Sequence, residues 1–466
     1  MNTPNNSPLG GMQGFTLIWI GQLVSLLGTS MTRFALTIWA YQTTGSATAL
    51  TLVAFFSFGP LVLMSPLAGA LVDRWNRKMV LMISDLMAGV ATIVLLLLYT
   101  SGSLELWHLY VLGAVAGTFE AFQFPAFSAS ITMMLPKEQY GRASGMRATA
   151  ESTAAIVAPI AGGLLLTLIG IGGIMVIDVI TFLFAVGAIL IVQIPQPETT
   201  DIGEAAKSNL WQESIFGFQY IWARPSLLGM QMIFFVANFF GGYGWVLLAP
   251  LVLARTGSNE FVLGTVQSAL GLGGLAGGIL MSAWGGPKNR VQGVLLGMVG
   301  NFLLGNLIVG IGNNLLWWTI GAFFSMFFIP ILNGSNQAIW QAKVPPDVQG
   351  RVFATRRLIA QITSPLAMLS AGPLADRIFE PTMQAGGTWA SLWGGLVGVG
   401  PGAGIGLIFV LTSIIGIIGA LSGYFFPAIR NIETILPDYV PISELEDNPP
   451  IEPSAEGSAS AALSTG

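Results

Sequence analysis

The sequence predicts an all-α membrane protein with twelve transmembrane helices in two pseudo-symmetric six-helix bundles. Three observations lead there. The 466 residues are 53% hydrophobic and only 9% charged, with a mean hydropathy of +0.73, against about 25% charged for a soluble domain. Apolar stretches of about 20 residues recur along the chain, each enough to cross a hydrocarbon core of about 30 Å as a helix, which satisfies its own backbone in lipid. Finally, a piece of the first half recurs in the second.

The elements follow in order. Span 1, roughly residues 15–41, is too long and too poor in preceding bases to read as a cleaved signal peptide, and it holds Gln22 and Arg33. Span 2 (48–72) ends in "GALVDRWNRK", a short loop with one acid and three bases, before span 3 (79–100) with Asp85. His108, the single histidine, opens span 4 (107–134), where it reads as interfacial, and Glu120 and Gln123 lie deeper. Span 5 (143–170) has Gly145, Pro159, Gly162 and Gly163, and Arg147 precedes Glu151 at helical salt-bridge spacing. Span 6 (173–194) holds Asp178 near its outer end, where a cap or loop contact is expected.

Residues 195–225 are the longest polar interruption, ending in an amphipathic stretch around Trp211, Ile215, Phe218 and Ile221. They divide an N-terminal bundle (1–194) from a C-terminal one (226–436). In the second bundle, span 7 (226–254) has Asn238 and Tyr243, and span 8 (261–284) is glycine-rich. Its Gly271, Gly273 and Ala276 follow no strand, so they read as close helix contacts and not as a dinucleotide loop. Span 9 (291–310) precedes span 10 (316–341), where Asn333, Asn336 and Gln337 recur at helical spacing on one expected face. Spans 11 (352–376) and 12 (404–427) close the bundle, and the Pro-, Glu- and Ser-rich residues 437–466 are expected to be a disordered cytoplasmic tail.

Basic residues orient the chain, because short cytoplasmic loops collect Lys and Arg. With both termini inside, only Arg255 and Arg377 of the 18 bases fall in outer loops, and Arg33 lies within a span. The repeat is carried by "PKEQYGRASGMR" at 136–147 and "PPDVQGRVFATR" at 345–356, which align Gly141 with Gly350, Arg142 with Arg351 and Arg147 with Arg356. Such a repeat implies two bundles related by an axis along the membrane normal, the layout of a rocking transporter.

"GALVDRWNRK" resembles the loop 2–3 signature of the major facilitator superfamily through Gly69, Leu71, Asp73, Arg74, Arg77 and Lys78, with Asn76 in place of the second glycine. Gly145, Pro159, Gly162 and Gly163 resemble the family's antiporter signature, with Ala154 and Ala158 replacing two of its glycines. "GRVFATRRLIAQITSPL" and "GPLADR" are most similar to the drug:proton antiporter branch with macrolide-efflux and enterobactin-export proteins. The resemblance covers about residues 15–430. It implies the major facilitator fold, with Asp73 and the loop bases as a charge network that locks the cytoplasmic ends of the bundles when the outside is open. The competing reading is that these bases only orient the chain.

A charge within a span costs several kcal/mol unless paired or hydrated. Counting 1.5 Å per residue puts Arg33 and Glu120 within about 5 Å of the same depth, and an ion pair is expected. In the family, spans 1 and 4 line a central cavity, so Glu120 is a candidate for the coupled proton; a static pair joining the spans is the alternative. Asp85 is expected to join Arg142 or Arg147 in the gate network. Candidate substrate contacts are Gln22, Arg33, Gln123, Asn238, Tyr243, Asn333, Asn336 and Gln337. Their amides and aromatics suit an amphipathic, weakly charged small molecule.

An enzyme is not expected: one His, no Cys and no His-Glu-x-x-His string leave little to build a catalytic site from. No Gly-x4-Gly-Lys loop is available for ATP, and no metal, cofactor or nucleic-acid partner is expected. The reading is a proton-coupled exporter of a drug, siderophore or natural product in the bacterial inner membrane, monomeric among membrane lipid. A facilitator or importer of a nutrient or lipid-like solute is the alternative.

Overall fold

A computed structural model of the protein describes residues 11–72, 75–136, 139–194 and 210–436. Regular structure among them is helical, with no strand. Span 1 is Gly11–Thr44, span 2 Ala47–Val72, span 3 Arg77–Thr100 and span 4 Leu106–Met134. Spans 5 and 6 are the two arms of Tyr140–Ile191, which break at Gly170, with φ 67° and ψ −179°. That conformation belongs essentially to glycine, so this residue sets the turn between two crossings.

After the linker helix, Leu210–Trp222, come span 7 (Pro225–Thr256), span 8 (Glu260–Trp284), span 9 (Arg290–Ile311) and span 10 (Leu315–Lys343). Span 11 runs through Pro346–Gln361 and Thr363–Leu374 to Thr382, and span 12 is Ala403–Phe425. Ten described segments are long and apolar enough to cross a membrane. Dividing the longest at Gly170 and adding span 4, whose hydropathy is lowered by His108, Glu120 and Gln123, gives twelve crossings.

Spans 9 and 11 each widen into a π turn, at Asn301–Asn306 and Ala375–Phe379. The second carries helix through Arg377 and past the expected end of span 11. The stretch before span 12 is not plain loop either, since it contains the short helix Ala390–Val397.

Each half has its own apolar core near the end of the molecule that carries the basic loops, here called the basic end. Phe15, Leu81 and Ile189 anchor one core; Met230, Leu295 and Trp340 anchor the other. The halves also repeat a strut. The Trp19 indole N–H of span 1 donates to the Met146 carbonyl of span 5 at 2.7 Å, and the Gln231 amide of span 7 donates to the Arg356 carbonyl of span 11 at 3.2 Å.

Between the halves, span 5 packs on span 8 and span 2 on span 11. A Cβ added to Gly264 would lie 2.5 Å from the Pro159 carbonyl oxygen, and one added to Gly163 would lie 3.1 Å from the Glu260 carbonyl oxygen. Absence of side chains is what lets these backbones approach. Ser268 donates from Oγ to the Ile156 carbonyl at 2.6 Å across the same seam.

Candidate functional site

A cavity of about 2340 Å³ lies between the two halves. Its wall reaches Trp19, Arg147, Phe218 and Arg357 toward the basic end. At the opposite end the halves are joined: Gln42 donates to Glu260 at 3.1 Å, and Asp376 of span 11 accepts from Ser46, Ala47 and Thr48 at the start of span 2.

Four carboxylates line the cavity, Asp85, Glu120, Glu151 and Asp178, all from the first half. Glu120 accepts from Arg33 Nη2 at 2.5 Å, the pair that depth counting anticipates. Both side chains face the cavity and stay solvent-accessible, at 57% for Arg33 and 36% for Glu120. A pair so exposed is held more by geometry than by dehydration, and contacts of this kind are worth about 0–1 kcal/mol. It is therefore easily broken.

Asp178 lies on the cavity wall and accepts from Thr29 at 3.0 Å and Thr92 at 3.2 Å, which tie span 6 to spans 1 and 3. The expected cap or loop contact is thus replaced by a buried carboxylate within the helix, only 2% exposed. The signal for it was the same as for Glu120, an acid inside an apolar run.

Asp85 is also buried, but its partners differ from those expected. It accepts from Gln22 Nε2 at 2.6 Å and Gln123 Nε2 at 2.7 Å, and Gln123 also donates to Gln22 at 3.2 Å. The three close a triangle across spans 3, 1 and 4. Arg142 is exposed at the start of span 5 and Arg147 pairs with Glu151 at 2.6 Å, so neither base serves Asp85. Helical rotation explains the miss, since depth along a span says nothing of the direction a side chain takes. The two glutamines line the cavity, yet direct their amides to Asp85.

Among the gate candidates, Asp73 and Arg74 lie outside the described residues, as do residues 195–209 and the tail 437–466. Gly69 lies in the last turn of span 2 and Arg77 in the first turn of span 3, which Asn76 caps. Lys78 donates from Nζ to the Leu190 and Val192 carbonyls at 2.9 and 2.8 Å. It satisfies the last carbonyls of span 6, a use of a cation at a helix C-terminus, and in this conformation bridges spans 3 and 6 of the first half.

The second half contributes a mostly apolar wall, including Trp245, Leu248, Leu270, Met326 and Met368. Asn333, Asn336 and Gln337 are not on it. Asn333 is exposed while Asn336 is 2% exposed; an offset of about 60° around the helix separates surface from core. That stretch of span 10 instead packs on its neighbours, with Leu332 and Ser335 against Gly297 and Gly293 of span 9. Tyr243 is buried, its hydroxyl 2.7 Å from Ser370 Oγ of span 11. Asn238 lines a smaller adjoining cavity. In the antiporter-like motif, Gly162 and Gly163 are close-packed, but a Cβ on Gly145 would meet nothing within 4 Å.

Known proteins place this architecture. The chain is 25% identical over 377 residues to macrolide efflux protein A of Streptococcus pyogenes, covering 78% of this chain and 90% of that protein. It is 27% identical over 371 residues to the multidrug efflux pump Tap of Mycolicibacterium fortuitum, covering 77% and 88%. A crystal structure of a bacterial homologue to the human lysosomal transporter Spinster, in an inward-facing and unoccupied conformation, superposes with a TM-score of 0.64 at 15% identity, over 93% of this chain and 100% of that one. The family model described as Major Facilitator Superfamily matches residues 18–368, and the chain belongs to that superfamily of transporters.

Proposed function

We propose that this transporter exports an amphipathic small molecule in exchange for protons, by alternating access across a bacterial inner membrane with both termini cytoplasmic. One observation carries the reading: the Arg33–Glu120 pair stands at 2.5 Å on the wall of the central cavity with both groups accessible to solvent. Protons from the cavity can reach this carboxylate, and uptake of one would remove the attraction that draws span 4 to span 1.

In this orientation the basic end is cytoplasmic and the cavity faces inward, while Asp376 and the span 5–span 8 seam close the outside. An apolar solute enters from the cytoplasm or inner leaflet and lies against Trp245, Leu248 and Met368, opposite the charged wall. When the outer contacts part, Glu120 takes a proton from outside; return to the inward-facing state delivers it to the cytoplasm. One charge crossing 100 mV supplies about 2.3 kcal/mol, enough for a concentration ratio of roughly fifty. The divisions 1–194, 195–225 and 226–436 are then the two moving bodies and their connector, with Asp73 and Arg74 locking the inner ends in the opposite state. The relatives named as macrolide and multidrug efflux proteins support the export direction.

The test is accumulation of fluorescent amphipathic dyes in efflux-deficient bacteria, with and without a protonophore. Wild type is expected to lower accumulation, and both the protonophore and Glu120→Gln to abolish that effect at equal protein level. Uptake raised by the wild-type protein, or export indifferent to both treatments, would sink the reading in favour of an importer or facilitator.

A further inference from the structure

A second cavity of about 230 Å³ lies inside the C-terminal half, where span 9 widens into its π turn. Trp245, Leu248, Leu270, Met326, Ser364 and Met368 line both cavities, so the smaller one is an annexe of the larger. Its chemistry is different. None of its described lining residues is charged, and three asparagines and two serines converge on it: Asn238 from span 7, Asn301 and Asn306 from the ends of the π turn, Ser325 from span 10 and Ser364 from span 11.

The annexe is built by sequence. Asn238, Gly241, Gly242 and Trp245 recur at i, i+3, i+4 and i+7, one face of span 7. Gly241 leaves a hollow between an amide and an indole, since a Cβ there would find only Phe302 Cζ, at 3.9 Å, whereas Gly242 lets span 11 approach, a Cβ there lying 2.8 Å from Ala367 Cβ. Asn301 spends its amide on the Ser325 carbonyl. For the side chains of Asn238 and Asn306, no hydrogen-bond partner is found among the described residues. Both amides line this uncharged hollow with hydrogen-bonding capacity that no described residue uses, and two such amides are the recognition chemistry of a neutral hydrogen-bonding group. π turns are found often at functional sites.

We propose that this annexe is the subsite for a neutral, hydroxyl-rich part of the transported molecule, such as a glycosyl group, while the apolar body lies in the main cavity. The inference rests on the amphipathic-substrate reading above and adds what the second half selects for. Asn238 and Asn306 each exchange hydrogen bonds with the appendage, and Trp245 forms the wall over which it enters.

The test uses full-length protein in lipid nanodiscs and two probes, 2-naphthyl β-glucoside and 2-methoxynaphthalene, with binding measured by isothermal titration. The glucoside is expected to bind wild type about tenfold more tightly, the scale of two net hydrogen bonds. Asn238→Val and Gly241→Leu, the second filling the hollow, are expected to erase that advantage while binding the methoxy compound as wild type does. Equal binding of both probes by wild type, or a glucoside advantage that survives in both variants, would overturn the annexe and leave the amphipathic-substrate reading standing. If neither probe binds wild type, both readings fall together.

Discussion

Asp376 of span 11 caps span 2 through Ser46: its carboxylate accepts from Ser46 Oγ at 2.5 Å and from the Ala47 and Thr48 N–H groups at 3.0 and 2.8 Å. The first N–H groups of a helix have no partner within it, and a carboxylate there also meets the positive end of the helix dipole. In this protein the capping group comes from the opposite half, so helix capping and closure of one end of the cavity are the same contact.

Asp376→Ala is therefore expected to shift the balance between open and closed states more than overall stability. Losing a cap costs about 1 kcal/mol, which favours the outward-open state by roughly fivefold. The chain has no cysteine, so a single Val53→Cys on the cavity wall reports opening by its labelling with an impermeant maleimide from outside. Labelling should rise severalfold in Asp376→Ala; unchanged labelling would mean that the contact is incidental to closure.

Glu120→Gln keeps the shape of the side chain and removes its charge. Because Arg33 is 57% exposed, its unpaired guanidinium is solvated, and loss of the pair should cost no more than about 1 kcal/mol. Thermal unfolding in detergent is expected to change by only a few degrees. In proteoliposomes, uphill transport driven by a proton gradient should disappear while exchange of substrate for substrate persists. A collapse in melting temperature would instead make the pair a structural tie.

Asp85→Asn is expected to show the opposite balance. The buried carboxylate accepts from two glutamine amides, and the new amide presents donors to donors. Leaving buried groups unsatisfied costs about 1–3 kcal/mol each. Thermal denaturation should begin well below that of wild type, with proton coupling intact in the folded fraction. Loss of coupling at unchanged stability would place Asp85 in the proton path.

These contrasts show what the sequence could and could not disclose. Twelve crossings were legible because lipid forces length and apolarity on each span, and the Arg33–Glu120 pair was legible because charges in apolar runs are few and depth can be counted. Azimuth could not be counted, so Asp85 was given to arginines and Asn333 to the cavity. Lys78 shows a related limit: a loop base looks the same in sequence whether it meets a carboxylate or, as in this conformation, the end carbonyls of span 6. The Asp376–Ser46 contact joins residues 330 apart, and only the packing of one half on the other reveals it.

That packing gives a last prediction, on glycine. A Cβ at Gly372 of span 11 would lie 2.5 Å from Thr48 Cα, a backbone atom that cannot swing aside. Gly372→Val should hold spans 2 and 11 apart at the end that Asp376 closes, so the same maleimide reporter is expected to label strongly, and transport to stop, even where protein reaches the membrane at normal level. Gly145 is the control, since a Cβ there meets nothing within 4 Å. Alanine in a helix is better than glycine by roughly 0.5–1 kcal/mol, so Gly145→Ala should leave transport unchanged and raise the melting temperature slightly. If both variants behave alike, close approach at Gly372 is not what seals the cavity, and closure must rest on the Asp376 cap and the span 5–span 8 seam.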